Sequence, residues 1–214
     1  MSLTDRIARG LESGWKVTDG ARLTENLTTE ADVVVIGTGA GGGTTAEILA
    51  RSGLSVILVE EGRLYYQKDF KMDEQTSYAN LYQEGMSRVT RDGAIAILQG
   101  RCVGGSTTVN WTSSFRTPEP TLNYWADQFG LKDLRPEAMA PWFDGREERH
   151  SMSPWQVAPN VNNDILRQGC EKLGYSWQII PRNVKGCWNL GYCGIGCPTN
   201  AKQGALMTTI PGAL

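Results

Sequence analysis

From Gly37 to Gly42 the chain reads Gly-Thr-Gly-Ala-Gly-Gly, a G-x-G-x-x-G spacing suited to cradling a pyrophosphate. Gly37 permits a tight turn, Gly39 lets a diphosphate approach the backbone, and Gly42 lets a helix pack closely on a strand. With Ala40, these positions turn free N–H groups and the positive end of a helix dipole toward the phosphates. Glu60 lies 23 residues beyond Gly37. A carboxylate there accepts hydrogen bonds from ribose hydroxyls and repels a 2′-phosphate, which argues against NADP. The spacing leaves NAD and FAD both open. A second block, GRCVGGSTTVN at 100–110, repeats the same physics. Adjacent Gly104 and Gly105 bring the backbone close to a ligand, and Ser106, Thr107 and Asn110 offer donors beside it.

Other reactive residue types are scarce. His150 is the single histidine; it follows a charged helix, where a solvated or capping role outweighs that of general base. Cys187, Cys193 and Cys197 are spaced C-x5-C-x3-C, without the C-x2-C-x2-C run of a ferredoxin cluster. No metal site is expected, and the segment reads as a glycine-rich loop with small thiols packed inside, near the ligand or substrate entrance. The seven tryptophans have no charge stripe beside them; they read as core and cavity wall, with several lining an apolar substrate channel.

These residues need a scaffold. Residues 32–36, DVVVI, predict a strand buried on both faces of a parallel sheet. A helix follows from the glycine turn and stops at Gly53, and SVILVEEG at 55–62 predicts a second strand, completing a β-α-β unit of about 30 residues. Residues 4–13 predict a short docking helix, capped by Thr4 or Asp5, with Ile7 and Leu11 one turn apart. Residues 63–99, polar and aromatic without a clean period, read as a long excursion over the ligand site. Helices are expected at 120–129, at 135–149 with a kink at Pro141, and at 161–173; SWQII at 176–180 predicts a strand.

The 214 residues include 25 glycines, and 21 basic residues balance 23 acidic ones for a net charge of −2. That balance excludes an electrostatic footprint for nucleic acid or an anionic membrane. No apolar run approaches the roughly 18 residues of a membrane span, and the N-terminus is too charged for a secretory signal. The expectation is a cytoplasmic protein, with peripheral attachment at the inner face of the membrane left open, and five reduced thiols.

Taken together, ADVVVIGTGAGGGTTAEILA, LVEEG and GRCVGGSTTVNWTSSFRTP resemble the flavin domain of the glucose-methanol-choline (GMC) oxidoreductase family in order and spacing. The late block CWNLGYCGIGCPTNAKQGALMTTIPGAL resembles the branch of long-chain alcohol oxidases and related bacterial alcohol dehydrogenases. The resemblance implies an α/β fold: a Rossmann-like FAD-binding domain with a doubly wound, mostly parallel sheet, and the start of a second, α+β substrate domain. The expected division is an N-terminal helical arm at 1–30, the FAD domain at 31–118 and a truncated substrate or cap domain at 119–214. It also implies that Gly37, Gly39, Ala40 and Gly42 hold the FAD pyrophosphate and that Glu60 holds the adenosine ribose. Gly104, Gly105, Ser106 and Asn110 would lie along the flavin and its phosphates. Val109 stands where covalent members carry a histidine, which implies non-covalent FAD. The family's proton-accepting histidine and its partner come from a C-terminal segment, so no catalytic residue is assigned in this chain. The implied activity is oxidation of an alcohol CH–OH group by hydride transfer to flavin N5. The implied partners are a hydrophobic small-molecule alcohol and a second chain carrying the remaining C-terminal part. The rival readings are an NAD-dependent Rossmann dehydrogenase and a truncated, non-catalytic nucleotide-binding chain.

Overall fold

The computed structural model describes residues 5–214. The chain divides into two compact units, one comprising the chain up to Thr112 with Val184–Leu214, the other Ser113–Asn183.

In the first unit, helix α1 (Arg6–Glu12) is capped by Asp5, whose carboxylate accepts from the N–H groups of Ile7 and Ala8 at 2.9 and 3.2 Å. The alternative cap, Thr4, lies outside the described residues. Ile7, 2% exposed, joins a core of Phe70, Leu81, Tyr82, Cys102, Val109 and Leu206, so the arm docks by burying an apolar residue. Strands β1 (Val33–Ile36) and β2 (Val56–Val59) pair in parallel, Val33 opposite Val56 and Ile36 opposite Val59. At their start, the Asp32 carboxylate accepts from both the N–H and the hydroxyl of Ser55, which hold it below the usual carboxylate range. A parallel pair requires a crossover, supplied by helix α2 (Ala40–Arg51).

DVVVI is not buried on both faces as expected. Val35 faces α2, its Cγ1 lying 3.4 Å from where a Cβ on Gly42 would stand. Val34 and Ile36 point the other way and are 55% and 86% exposed. Strand side chains alternate, so one covering helix buries only every second residue.

Residues 63–99 are more regular than expected. They contain helix α3 (Glu74–Leu81), capped by Asp73, and an antiparallel ladder in which Tyr82 pairs with Gly100 and Val89 with Ala96. The segment also supplies Phe70, Leu81 and Tyr82 to the core. The short helix α4 (Ser106–Val109) follows the second glycine block.

The second unit holds α5 (Glu119–Phe129), α6 (Pro136–Arg149) and α7 (Val161–Leu173), close to the expected bounds. Gly130 and Gly174 end α5 and α7 in the left-handed region. Helix α6 runs through Pro141. The expected strand at 176–180 is absent. Strand β3 (Met152–Pro154) pairs antiparallel with β4 (Pro181–Asn183), because a strand forms where it finds a partner, and the partner here is only three residues long.

Residues 184–214 return to the first unit and do not extend a second domain across 119–214. Lys185 donates its N–H to Ala201 O at 2.8 Å. Helix α8 (Thr209–Ala213) packs on α2, with the Thr209 hydroxyl 2.7 Å from where a Cβ on Gly43 would stand.

The tryptophans are not core residues as a group. Trp111, Trp142 and Trp188 are each about 60% exposed or more. Trp155 instead lies beneath the Arg182 guanidinium at 4.3 Å, a cation–π contact.

Candidate functional site

Gly37 turns the chain off β1 with a positive φ of 91°, and Gly39 caps α2 without any side-chain bond to its first N–H groups. The first turn, which includes Ala40 and Gly42, therefore presents backbone donors to an anion. A methyl on Gly42 would overlap the carbonyl oxygen of Gly37 and lie 2.9 Å from its carbon. Only glycine lets α2 start this close to the turn.

The structure brings the three sequence blocks together. Gly105, at φ +52°, approaches Gly39 so closely that a Cβ on it would lie 2.9 Å from Gly39 Cα. A Cβ on Gly62 would lie 2.5 Å from the Arg101 carbonyl, and the Val103 N–H donates to Arg63 O at 3.0 Å. The result is a cradle walled by backbone, with the start of α2 on one side and the turn into α4 on the other. Such a cradle fits a diphosphate, whose oxygens require close backbone approach and no intervening side chain.

Thr38, absent from the predicted site, is the hub of this arrangement. Its hydroxyl accepts from the Gly104 N–H at 2.9 Å and donates to Glu60 Oε2 at 2.7 Å, while its own N–H reaches the same oxygen at 3.0 Å. Glu60 Oε1 accepts from the Gly62 N–H at 3.0 Å. A carboxylate offers about four lone-pair sites; with three engaged, one on Oε1 is left to accept a further hydrogen bond. Glu60 thus ties the loops together and keeps one acceptor site. A residue between two signature glycines gives no sequence signal for this, since its partner Gly104 is 66 positions away.

Ser106 is exposed, and its hydroxyl accepts from the Gly100 N–H at 3.0 Å. Asn110 is exposed and ends α4, its N–H bonded to Ser106 O at 2.9 Å. Val109 is buried. Beneath them Cys102 is fully buried, and that burial pushes its thiol up to about 12, which removes it as a nucleophile. His150, in the other unit, ends α6, its N–H donating to Arg146 O at 3.0 Å.

Residues 193–195 form a tight turn held by side chains from elsewhere in the first unit. Lys202, only 4% exposed, was also invisible to sequence reading: a lone lysine in a polar stretch carries no burial signal. Its ammonium donates to the carbonyls of Thr108, Asn110 and Cys193 at 2.8, 2.5 and 2.9 Å. Phe70, Thr107, Thr108, Cys197 and Lys202 line a cavity of about 20 Å³. That is room for one water, too little for a flavin ring or an alcohol. Among the described residues, no group of three or more histidine, cysteine or acidic side chains is placed to hold a metal.

A family model described as GMC oxidoreductase matches residues 78–214. A long-chain-alcohol oxidase of Arabidopsis thaliana is 34% identical over 206 residues, covering 96% of this chain and 27% of that protein. The chain belongs to the GMC oxidoreductase family. FAD is the cofactor of this family. An uncharacterized GMC-type oxidoreductase of Mycobacterium tuberculosis is 37% identical over 188 residues, covering 86% of this chain and 30% of that one. The solved formate oxidase of Aspergillus oryzae superposes with a TM-score of 0.57 over 86% of this chain and 37% of its own, at 15% identity, a likeness of fold. The chain spans about a quarter of the length of the long-chain-alcohol oxidases it matches. Among the described residues, no helix is long and apolar enough to cross a membrane.

Proposed function

We propose that this chain forms the cofactor-holding part of an FAD-dependent oxidoreductase acting on the CH–OH group of an alcohol. The observation that carries the reading is the convergence of three blocks from separate parts of the sequence on one backbone-walled cradle, with Thr38 bonded to both Glu60 and Gly104. The substrate class is a hydrophobic alcohol, supported by the long-chain-alcohol oxidases among the relatives. FAD, when bound, supplies the hydride acceptor, flavin N5, for the carbinol C–H.

In this reading Gly37, Gly39, Ala40 and Gly42 bind the pyrophosphate through backbone N–H groups at the start of α2. Glu60 accepts from the adenosine ribose through its remaining Oε1 site. Gly104, Gly105, Ser106 and Asn110 line the flavin side, with Gly105 leaving room and Asn110 orienting polar edges. The cofactor is held without a covalent bond, since Val109 offers no nucleophile. Proton removal from the alcohol is not assigned to any residue described here; His150 serves as a helix end.

The test is to purify the protein, record the visible bands of oxidised flavin, then denature and filter it. Yellow protein that releases intact FAD into the filtrate is the expected result. A colourless protein that binds NAD, or flavin retained by the denatured chain, overturns the reading in its first or second part. Alcohol-dependent bleaching of the flavin bands, increasing with alkyl chain length, tests the substrate class.

A further inference from the structure

Two runs of three consecutive carbonyls, far apart in sequence, are bound by a shared set of buried side chains. At the end of α4, the carbonyls of Thr108 and Asn110 accept from Lys202 and that of Val109 from Tyr82, at 3.3 Å. In the turn 193–195, Cys193 O accepts from Lys202, Gly194 O from Tyr82 at 2.5 Å, and Ile195 O from Ser77 at 3.4 Å. Lys202 and Tyr82 each reach both runs. Tyr82 is 5% exposed and Ser77 6%.

The chemistry suits this double duty. The last carbonyls of a helix lack intrahelical partners, and an ammonium has three donors to offer. Burial holds Tyr82 above the ordinary phenol value, so its hydroxyl stays protonated and its single proton is shared between two carbonyls. Two further contacts seat the turn. A Cβ on Gly194 would lie 2.8 Å from the Trp111 indole, and one on Gly196 would overlap the Phe70 ring.

We propose that Lys202 and Tyr82 are positioning residues that lock the end of α4, and with it Asn110, onto the Cys193–Ile195 turn. The cysteine-bearing loop is then the buttress of the flavin-facing segment; its role needs no thiol chemistry. This inference rests on the assignment of Asn110 to the flavin side of the cofactor. It follows that loosening the lock disturbs the flavin half of the site and spares the ADP half around Gly39 and Glu60.

The experiment compares Lys202→Met and Tyr82→Phe with the wild-type chain in two readouts. The first is affinity for FAD and, separately, for ADP, by titration calorimetry. The second is amide hydrogen exchange. The lock predicts that FAD binding weakens by about tenfold or more while ADP binding stays within about twofold. It also predicts that exchange rises at 107–112 and 193–196 together, with α2 unchanged. Tyr82→Phe, the milder change, carries the test if Lys202→Met does not fold. Equal losses of FAD and ADP affinity with faster exchange throughout the unit would mean a general stabilising role and overturn the proposal; so would unchanged exchange in both segments. Wild-type protein that binds neither FAD nor ADP would instead overturn the proposed function, while the exchange pattern still decides the lock.

Discussion

Alanine at Gly42 and alanine at Gly41 should have opposite effects on stability, although both sit in the first turn of α2. Helix propensity alone favours alanine over glycine by about 1 kcal/mol at either position. At Gly41 a Cβ meets nothing within 4 Å, so that gain survives. At Gly42 the new methyl would overlap Gly37 O and stand 2.9 Å from its carbon, both backbone atoms with no rotamer to escape into. Carbon–carbon contact is comfortable at about 3.5 Å, so α2 must retreat by at least about 0.6 Å from the turn. Overpacking of this kind costs about 1–3 kcal/mol, and a backbone obstacle puts Gly42→Ala at the upper end. Set against the propensity gain, the net loss is about 1–2 kcal/mol. For a chain of this size that is a fall of about 2–8 °C in the unfolding midpoint. Gly41→Ala should raise the midpoint by a few degrees. The assay is thermal unfolding of the three proteins followed by circular dichroism. A Gly42→Ala protein as stable as wild type would refute the close approach of helix and turn on which the cradle depends.

Three further outcomes follow from the same geometry. Glu60→Gln replaces an acceptor-only group by one whose NH2 faces donors, against Thr38 or Gly62; it should cost about 1–3 kcal/mol in urea unfolding, and an unchanged midpoint would count against the Thr38–Glu60 tie. Ile7→Ala should cost about 2–5 kcal/mol of docking energy for α1, seen as rapid proteolytic loss of the arm in limited trypsin digestion that wild type resists. Cys102 should resist alkylation in the folded protein long after the four partly exposed cysteines have reacted. Its folded value of about 12 lies above the ordinary 9.0. Its contribution is therefore intact below pH 9 and is lost as pH rises from there toward 12, because the unfolded thiol ionises first. Cys102→Ala should flatten the alkaline fall in stability, and an unchanged profile would rule this group out as its cause.

The β-α-β unit and the three long helices of the second unit were legible because their signals are local. Gly42 sits five residues from the Gly37 carbonyl it must clear, and Gly130 and Gly174 follow directly on the helices they end. The excursion at 63–99 was harder to read because its apolar positions are aromatic and its helix spans only eight residues. The strand expected at 176–180 shows the limit of apolar pattern, since Ile179 and Ile180 remain over 40% exposed and the ladder begins at Pro181.

The sequence by itself determined which residues need close backbone approach and which acid follows them, since turn geometry and helix start are properties of a few neighbouring residues. Tertiary structure alone decided what those residues face. Thr38 meets Gly104, Lys202 meets Thr108 across 94 positions, and residues 184–214 fold back onto the first unit. Polar side chains such as Thr38 and Lys202 acquire their partners only when distant segments are buried together, and burial, which makes each unmet donor costly, is what turns them into fixed parts of the site.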